Sequence, residues 1–134
     1  MKPRLLVCGA LAAVVFAVGL AVWLTGGNHP FESLECAQVQ AVQVRLIPPS
    51  VQYELNEEEI EEFCGLLRSV VSYRIFSPEM MSGQFVEFTL FFQDGSSHTV
   101  QPFGDLITID GETFQAAYDP NEALNHFANQ HIPA

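Results

Sequence analysis

The sequence predicts an α+β protein: one N-terminal transmembrane helix, then a single antiparallel β-sheet with a long helix packed on one face and a short C-terminal helix. Three observations lead there. Residues 5–24 hold no charge; apolar residues recur at helical spacing behind a capping sequence at Asn56; and alternating segments from residue 84 onward are joined by two Asp-Gly turns.

The uncharged run from Leu5 to Leu24 follows Lys2, Arg4 and the amino terminus, and the first charges after it are Glu32 and Glu35. At ~1.5 Å per residue a helix of this length spans about 30 Å, the hydrocarbon thickness of a bilayer. Basic before and acidic after puts the amino terminus in the cytoplasm and everything from Gly26 onward outside. A secretory signal has a shorter apolar core, about 7 to 15 residues. The run therefore reads as a retained anchor, although Gly19-Leu20-Ala21 and Thr25-Gly26-Gly27 have the small residues of a weak cleavage site. Leu5-Leu6-Val7-Cys8 falls short of a lipoprotein signal, because Val7 is not small and only three apolar residues precede Cys8. Trp23 and Phe31 suit the aromatic belt at headgroup level. Gly9, Ala13, Ala17 and Ala21 form a small-residue stripe suited to weak self-association of the anchor. The chain divides into a cytoplasmic start and anchor over 1–25, a stalk over 26–38, and an extracytoplasmic α+β domain over 39–134.

Within the domain, Val39 to Ile47 places Val42, Val44 and Leu46 on one face of a first strand, ended by Pro48-Pro49. Val51 to Leu55 adds a short extended piece. Asn56-Glu57-Glu58-Glu59 is a capping box, with Leu55 and Ile60 at hydrophobic-staple spacing. Ile60, Phe63, Cys64, Leu67, Val70 and Val71 then gather within an arc of ~120°. Tyr73 to Phe76 reads as a strand, and Gln84 to Gln93 as the strongest one, with Val86, Phe88, Leu90 and Phe92 on one face and Phe85, Glu87, Thr89 and Phe91 on the other. At Asp94-Gly95 a three-residue loop, setting Phe88 opposite Val100 and Thr89 opposite Thr99, separates apolar from polar best. At Asp110-Gly111 a two-residue turn pairs Ile107 with Phe114 and Thr108 with Thr113. Asp119-Pro120-Asn121-Glu122 reads as a second capping box, opening a helix whose apolar face holds Leu124, Phe127 and Ala128.

Charge bounds the partners. All sixteen acidic residues lie beyond Thr25, where only Arg45, Arg68 and Arg74 oppose them. Nucleic acid is thereby excluded as a partner, and a bare anionic surface is repelled. Glu57, Glu58, Glu61 and Glu62 form an acidic helix face whose plain role is solvation and favourable placement near the helix N-terminus. Cys36 and Cys64, the two cysteines beyond the apolar run, are candidates for a disulfide in an oxidising compartment; Cys64 also fits as a small buried hydrophobe.

No motif carries chemistry. His29, His98, His126 and His131 do not share a face or a zinc spacing, so no metal site is expected. Ser96-Ser97-His98 with Asp94 or Asp105 has the letters of a hydrolytic triad without the strand-turn-helix elbow that exposes a nucleophile. No glycine-rich phosphate loop is present, and no catalytic residue or cofactor is assigned. The segments YELNEEEIEEFCGLLRSV, FFQDGSSHTV and ITIDGETFQAAYDPNEALNHF resemble the uncharacterised small exported, membrane-tethered domains of Gram-positive bacteria. That resemblance implies a cell-surface domain and brings no activity or site residues. The expected function is a membrane-anchored, non-catalytic binding or accessory module for another envelope protein, with Phe85 and Phe91 as partner surface. The alternative is a small envelope enzyme or ligand-binding protein with a pocket between helix and sheet.

Overall fold

Residues 27–75 and 83–133 are described by a computed structural model. The anchor segment at 5–24, its orientation and its small-residue stripe lie outside these residues. Among the described residues no helix is long and apolar enough to cross a membrane.

Period-two alternation builds seven strands: β1 (Val39–Ile47), β2 (Val51–Glu54), β3 (Ser72–Ile75), β4 (Phe85–Phe92), β5 (Ser97–Phe103), β6 (Leu106–Ile109) and β7 (Glu112–Ala116). They join in one sheet, in the order β2-β1-β4-β5-β6-β7-β3, and every pairing is antiparallel. The registers expected at both Asp-Gly turns are present: Phe88 faces Val100 and Thr89 faces Thr99, while Ile107 faces Phe114 and Thr108 faces Thr113. Separation of apolar from polar residues selects these registers, since a one-residue slip would turn every buried side chain outward.

Two helices cover one face, α1 (Glu57–Arg68) and α2 (Tyr118–Gln130). The expectation of a long first helix and a short last one is corrected, because α1 has 12 residues and α2 has 13. The helical periodicity through Val71 outruns the helix. Ser69 is the C-cap, its amide bonding back to the Leu66 and Leu67 carbonyls, and Val70 is buried beyond the last turn. The capping box at the start of α1 is complete: the Asn56 side chain accepts from the Glu59 amide at 2.9 Å, and Glu59 accepts from the Asn56 amide at 2.9 Å.

The second capping box does not form. Helix α2 starts at Tyr118, after Ala117, which makes no side-chain cap. Asn121 is buried and donates to the Gly104 carbonyl at 3.1 Å and the Leu106 carbonyl at 2.6 Å, so its amide ties the helix to the β5–β6 turn. The box needed Asp119 outside the helix as its cap, but the helix begins one residue earlier, at Tyr118, and Asp119 lies within its first turn.

Three rings join the layers. Phe63 of α1 stacks on Phe88 of β4 at 4.5 Å between centroids, and Phe127 of α2 lies 6.0 Å from Phe63 and 6.4 Å from Phe88. All three are buried, among Val42, Val44, Leu67, Leu90 and Leu124.

The segment read as a stalk over 26–38 is part of the domain from Gly27 onward. Asn28 exchanges both backbone hydrogen bonds with Ser72, at 2.6 and 2.8 Å, and Arg68 Nε donates to the Leu34 carbonyl at 3.0 Å. Phe31 and Leu34 pack against the core, so Phe31 is a covering side chain of the domain, not a member of an aromatic belt. Pairing with the edge strand satisfies backbone groups that a free stalk would leave to water, which is why this stretch folds despite its weak periodicity.

Candidate functional site

With both helices on one side, the other face of the sheet is left uncovered among the described residues. Register aligns its side chains into rows. Gln52, Arg45, Glu87, Gln101, Thr108 and Thr113 succeed one another from β2 across to β7. Adjacent members bond: Arg45 Nη2 lies 4.0 Å from Glu87 Oε1, Gln101 donates to Glu87 Oε2 at 2.9 Å, and the hydroxyls of Thr108 and Thr113 are 2.8 Å apart. The result is a polar surface in which Glu87 bonds to Gln101 and Thr108 to Thr113, with Arg45 drawn to Glu87 by charge, each link contributing ~0.2 to 1 kcal/mol.

Phe85 and Phe91 both lie on this face, at opposite ends of β4. Six residue steps of strand separate them, about 20 Å. Phe91 is 40 % exposed, whereas Phe85 is half-buried with the Arg45 guanidinium 5.2 Å from its ring centre. They do not form one apolar patch. The expected partner surface is therefore a polar face with an aromatic at each end, one of them already engaged by a cation.

Cys36 and Cys64 are joined as a disulfide, their Cα atoms 5.9 Å apart, in the usual range for such a bond. Cys64 is also fully buried, so the two readings of this residue describe the same side chain. Glu57, Glu58, Glu61 and Glu62 are exposed on α1.

The histidines are dispersed. His29 and His126 are exposed. His98 Nδ1 lies 2.7 Å from Asp110 Oδ2, and the Thr99 amide donates to Asp110 Oδ1 at 2.9 Å. Partial burial pushes the Asp110 carboxyl up, but the hydrogen bonds from His98 and Thr99 and the His98 charge outweigh it, and the group sits below the ordinary carboxylate value. Beside this pair a groove of about 310 Å³, open to solvent, runs past Phe31, Leu34, Phe92 and Ile109. Ser96 does not serve His98: its hydroxyl donates to Asp94 Oδ1 at 2.6 Å, and the same bond, with that from the Ser96 amide, holds Asp94 below its ordinary value. The triad letters are resolved into two separate pairs.

His131, at the C-cap of α2, was not singled out by spacing on its own helix. Its Nδ1 lies 2.7 Å from Glu59 Oε2 and its Nε2 lies 3.7 Å from Glu62 Oε2, against the Phe127 ring. It connects the end of one helix to the start of the other, and no sequence signal joins residues so far apart. Among the described residues no group of three His, Cys, Asp or Glu is placed to hold a metal ion. Comparison with known proteins finds no family, no curated protein and no solved structure that matches this chain.

Proposed function

We propose that the chain is a membrane-anchored, extracytoplasmic, non-catalytic binding module that presents the helix-free face of its sheet to another envelope protein. The observation that carries this reading is the face that the described residues leave uncovered, a polar row from Gln52 to Thr113 in which Glu87 bonds to Gln101 and Thr108 to Thr113, with Phe91 exposed at its margin. Fixed polar side chains lose little freedom when a partner docks, which favours recognition over an unordered surface. The disulfide supports an oxidising compartment, and the uncharged run over 5–24 supports a bilayer tether. Ser96 bonds to Asp94 and His98 to Asp110, so the letters of the triad are not joined through His98.

Cross-linking in intact membranes, followed by affinity purification of the full chain, tests the reading. Phe91→Ser and Gln52→Ala, both at exposed positions, are expected to lower capture of a specific envelope protein by about tenfold or more without changing the melting temperature. His98→Ala is expected to leave capture unchanged. Full capture by both face variants, or loss of a measurable activity in His98→Ala, overturns the reading.

A further inference from the structure

The large hydrophobic side chains exposed among the described residues are Ile47, Tyr73, Ile75, Phe91 and Tyr118. Three of the five belong to one rim. Tyr73 and Ile75 are on the edge strand β3, 40 % and 61 % exposed, and Tyr118, 55 % exposed, follows Ala117, whose amide donates to the Val71 carbonyl at 2.9 Å just before β3. This rim is also where the described chain begins. Gly27 packs so closely under Tyr73 that a Cβ there would stand 2.7 Å from the ring, and its φ of +73° suits glycine. The two backbone bonds between Asn28 and Ser72 fix the next residue to the same edge.

Only Thr25 and Gly26 separate Gly27 from Leu24, the last residue of the uncharged run. Three residue steps reach at most about 10 Å. A body pinned at Gly27 is thus held within about that distance of whatever Leu24 is embedded in. We infer that the β3 rim, with Tyr73, Ile75 and Tyr118 and with Arg74 on the same edge strand, docks into the headgroup zone of the bilayer that anchors the chain; the inference rests on the reading of residues 5–24 as a membrane anchor.

Chemistry fits the occupant. Tyrosine presents an apolar body and a polar tip, the combination enriched at membrane interfaces, and arginine pairs with lipid phosphate. Charge is disposed accordingly. Arg74 lies in the rim and Arg68 at the C-terminal turn of α1, the end of that helix that leads into β3, while Glu57 and Glu58 lie in its first turn and Glu61 and Glu62 at its middle; exposed Asp119, next to Tyr118, is the acidic residue of the rim. Eleven residue steps of helix, about 17 Å, separate Glu57 from Arg68 and six, about 9 Å, separate Glu62 from it, so the acidic cluster is weighted toward the end of α1 away from β3.

The test uses the full chain reconstituted in vesicles of phosphatidylethanolamine and phosphatidylglycerol, with a photoreactive benzoylphenylalanine at Tyr73 or Tyr118. Ile47 serves as control because it is 44 % exposed but lies on β1, far across the sheet, and Glu61 as control on the acidic face. Lipid adducts at positions 73 and 118 are expected to exceed those at 47 and 61 by about fivefold or more. Position 118 gives an independent reading should a change at Tyr73 disturb Gly27. Equal lipid adducts at all four positions, or adducts at 73 and 118 to a second copy of the chain, overturn the docking while the chain still resists alkaline extraction from the vesicles. Extraction of the chain by alkali overturns the anchor reading and the docking with it.

Discussion

Glu59 shows how much one carboxylate can do. One oxygen closes the capping box on the Asn56 amide, and the other meets His131 at the far end of α2. Its charge also reaches Tyr53, whose phenol is pushed up to about 12, by burial first and by Glu59 second. Tyr53 donates to the Ala128 carbonyl at 2.5 Å, one of the last carbonyls of α2 that lack a helical partner. Tyr53→Phe is expected to cost about 0.5 to 1.5 kcal/mol in urea unfolding at neutral pH. Because the native value is raised, the tyrosine's contribution is complete below its ordinary value of 10 and is lost as pH climbs toward 12. Wild type is therefore expected to lose stability relative to Tyr53→Phe over that interval. Asp110 works in the opposite direction. Its native value is lowered, so its contribution is present above the ordinary value of 3.8 and disappears as pH falls below it. Asp110→Asn suits the same turn, since asparagine tolerates the φ of +50° found there, and its unfolding is expected to show a weaker acid dependence than wild type between pH 5 and 2.

The elements differ in how far the sequence revealed them. Helix α1 was legible because cap, staple and apolar arc agree with one another, and the structure buries Phe63, Cys64 and Leu67 while exposing Glu57, Glu58, Glu61 and Glu62. Leu67→Ala is expected to cost about 2 to 5 kcal/mol and Glu61→Gln less than about 0.5 kcal/mol in denaturant unfolding. Both hairpin registers were legible for the same reason, that the chemistry of the turn and the alternation on the strands demand one pairing. Helix α2 was misread at its start, where Asn121 turns inward to carbonyls 15 and 17 residues earlier. The stretch from Gly27 to Gln38 was misread as a tether because its partners, Ser72, Arg68 and Cys64, lie about 30 residues or more downstream. Periodicity sees neighbours within a turn or a strand, and it does not see such contacts. The candidate face shares this limit: Phe85 and Phe91 were legible as residues on one side of a strand, but the row of Arg45, Glu87 and Gln101 depends on strand order.

For the molecule as a whole, the disulfide closes a loop between residues 28 positions apart, worth ~3 to 4 kcal/mol by chain-entropy arithmetic. Reduced protein is expected to melt at lower temperature and to migrate differently from oxidised protein on a gel. An impermeant thiol probe on a cysteine introduced at Pro133 is expected to label intact cells if the domain is outside; labelling only after lysis reverses that orientation.

Sheet order also sets a timetable. Helix α1 links β2 at one edge to β3 at the other, and β3 pairs with β7, which begins at Glu112. The edge strand is thus made some forty residues before its neighbour, and between those moments its backbone partner among the described residues is Asn28. A chain emerging from amino to carboxyl end therefore seals its first-made edge with one of its last strands, so a truncation before residue 112 is expected to leave that edge open to other chains and to aggregate.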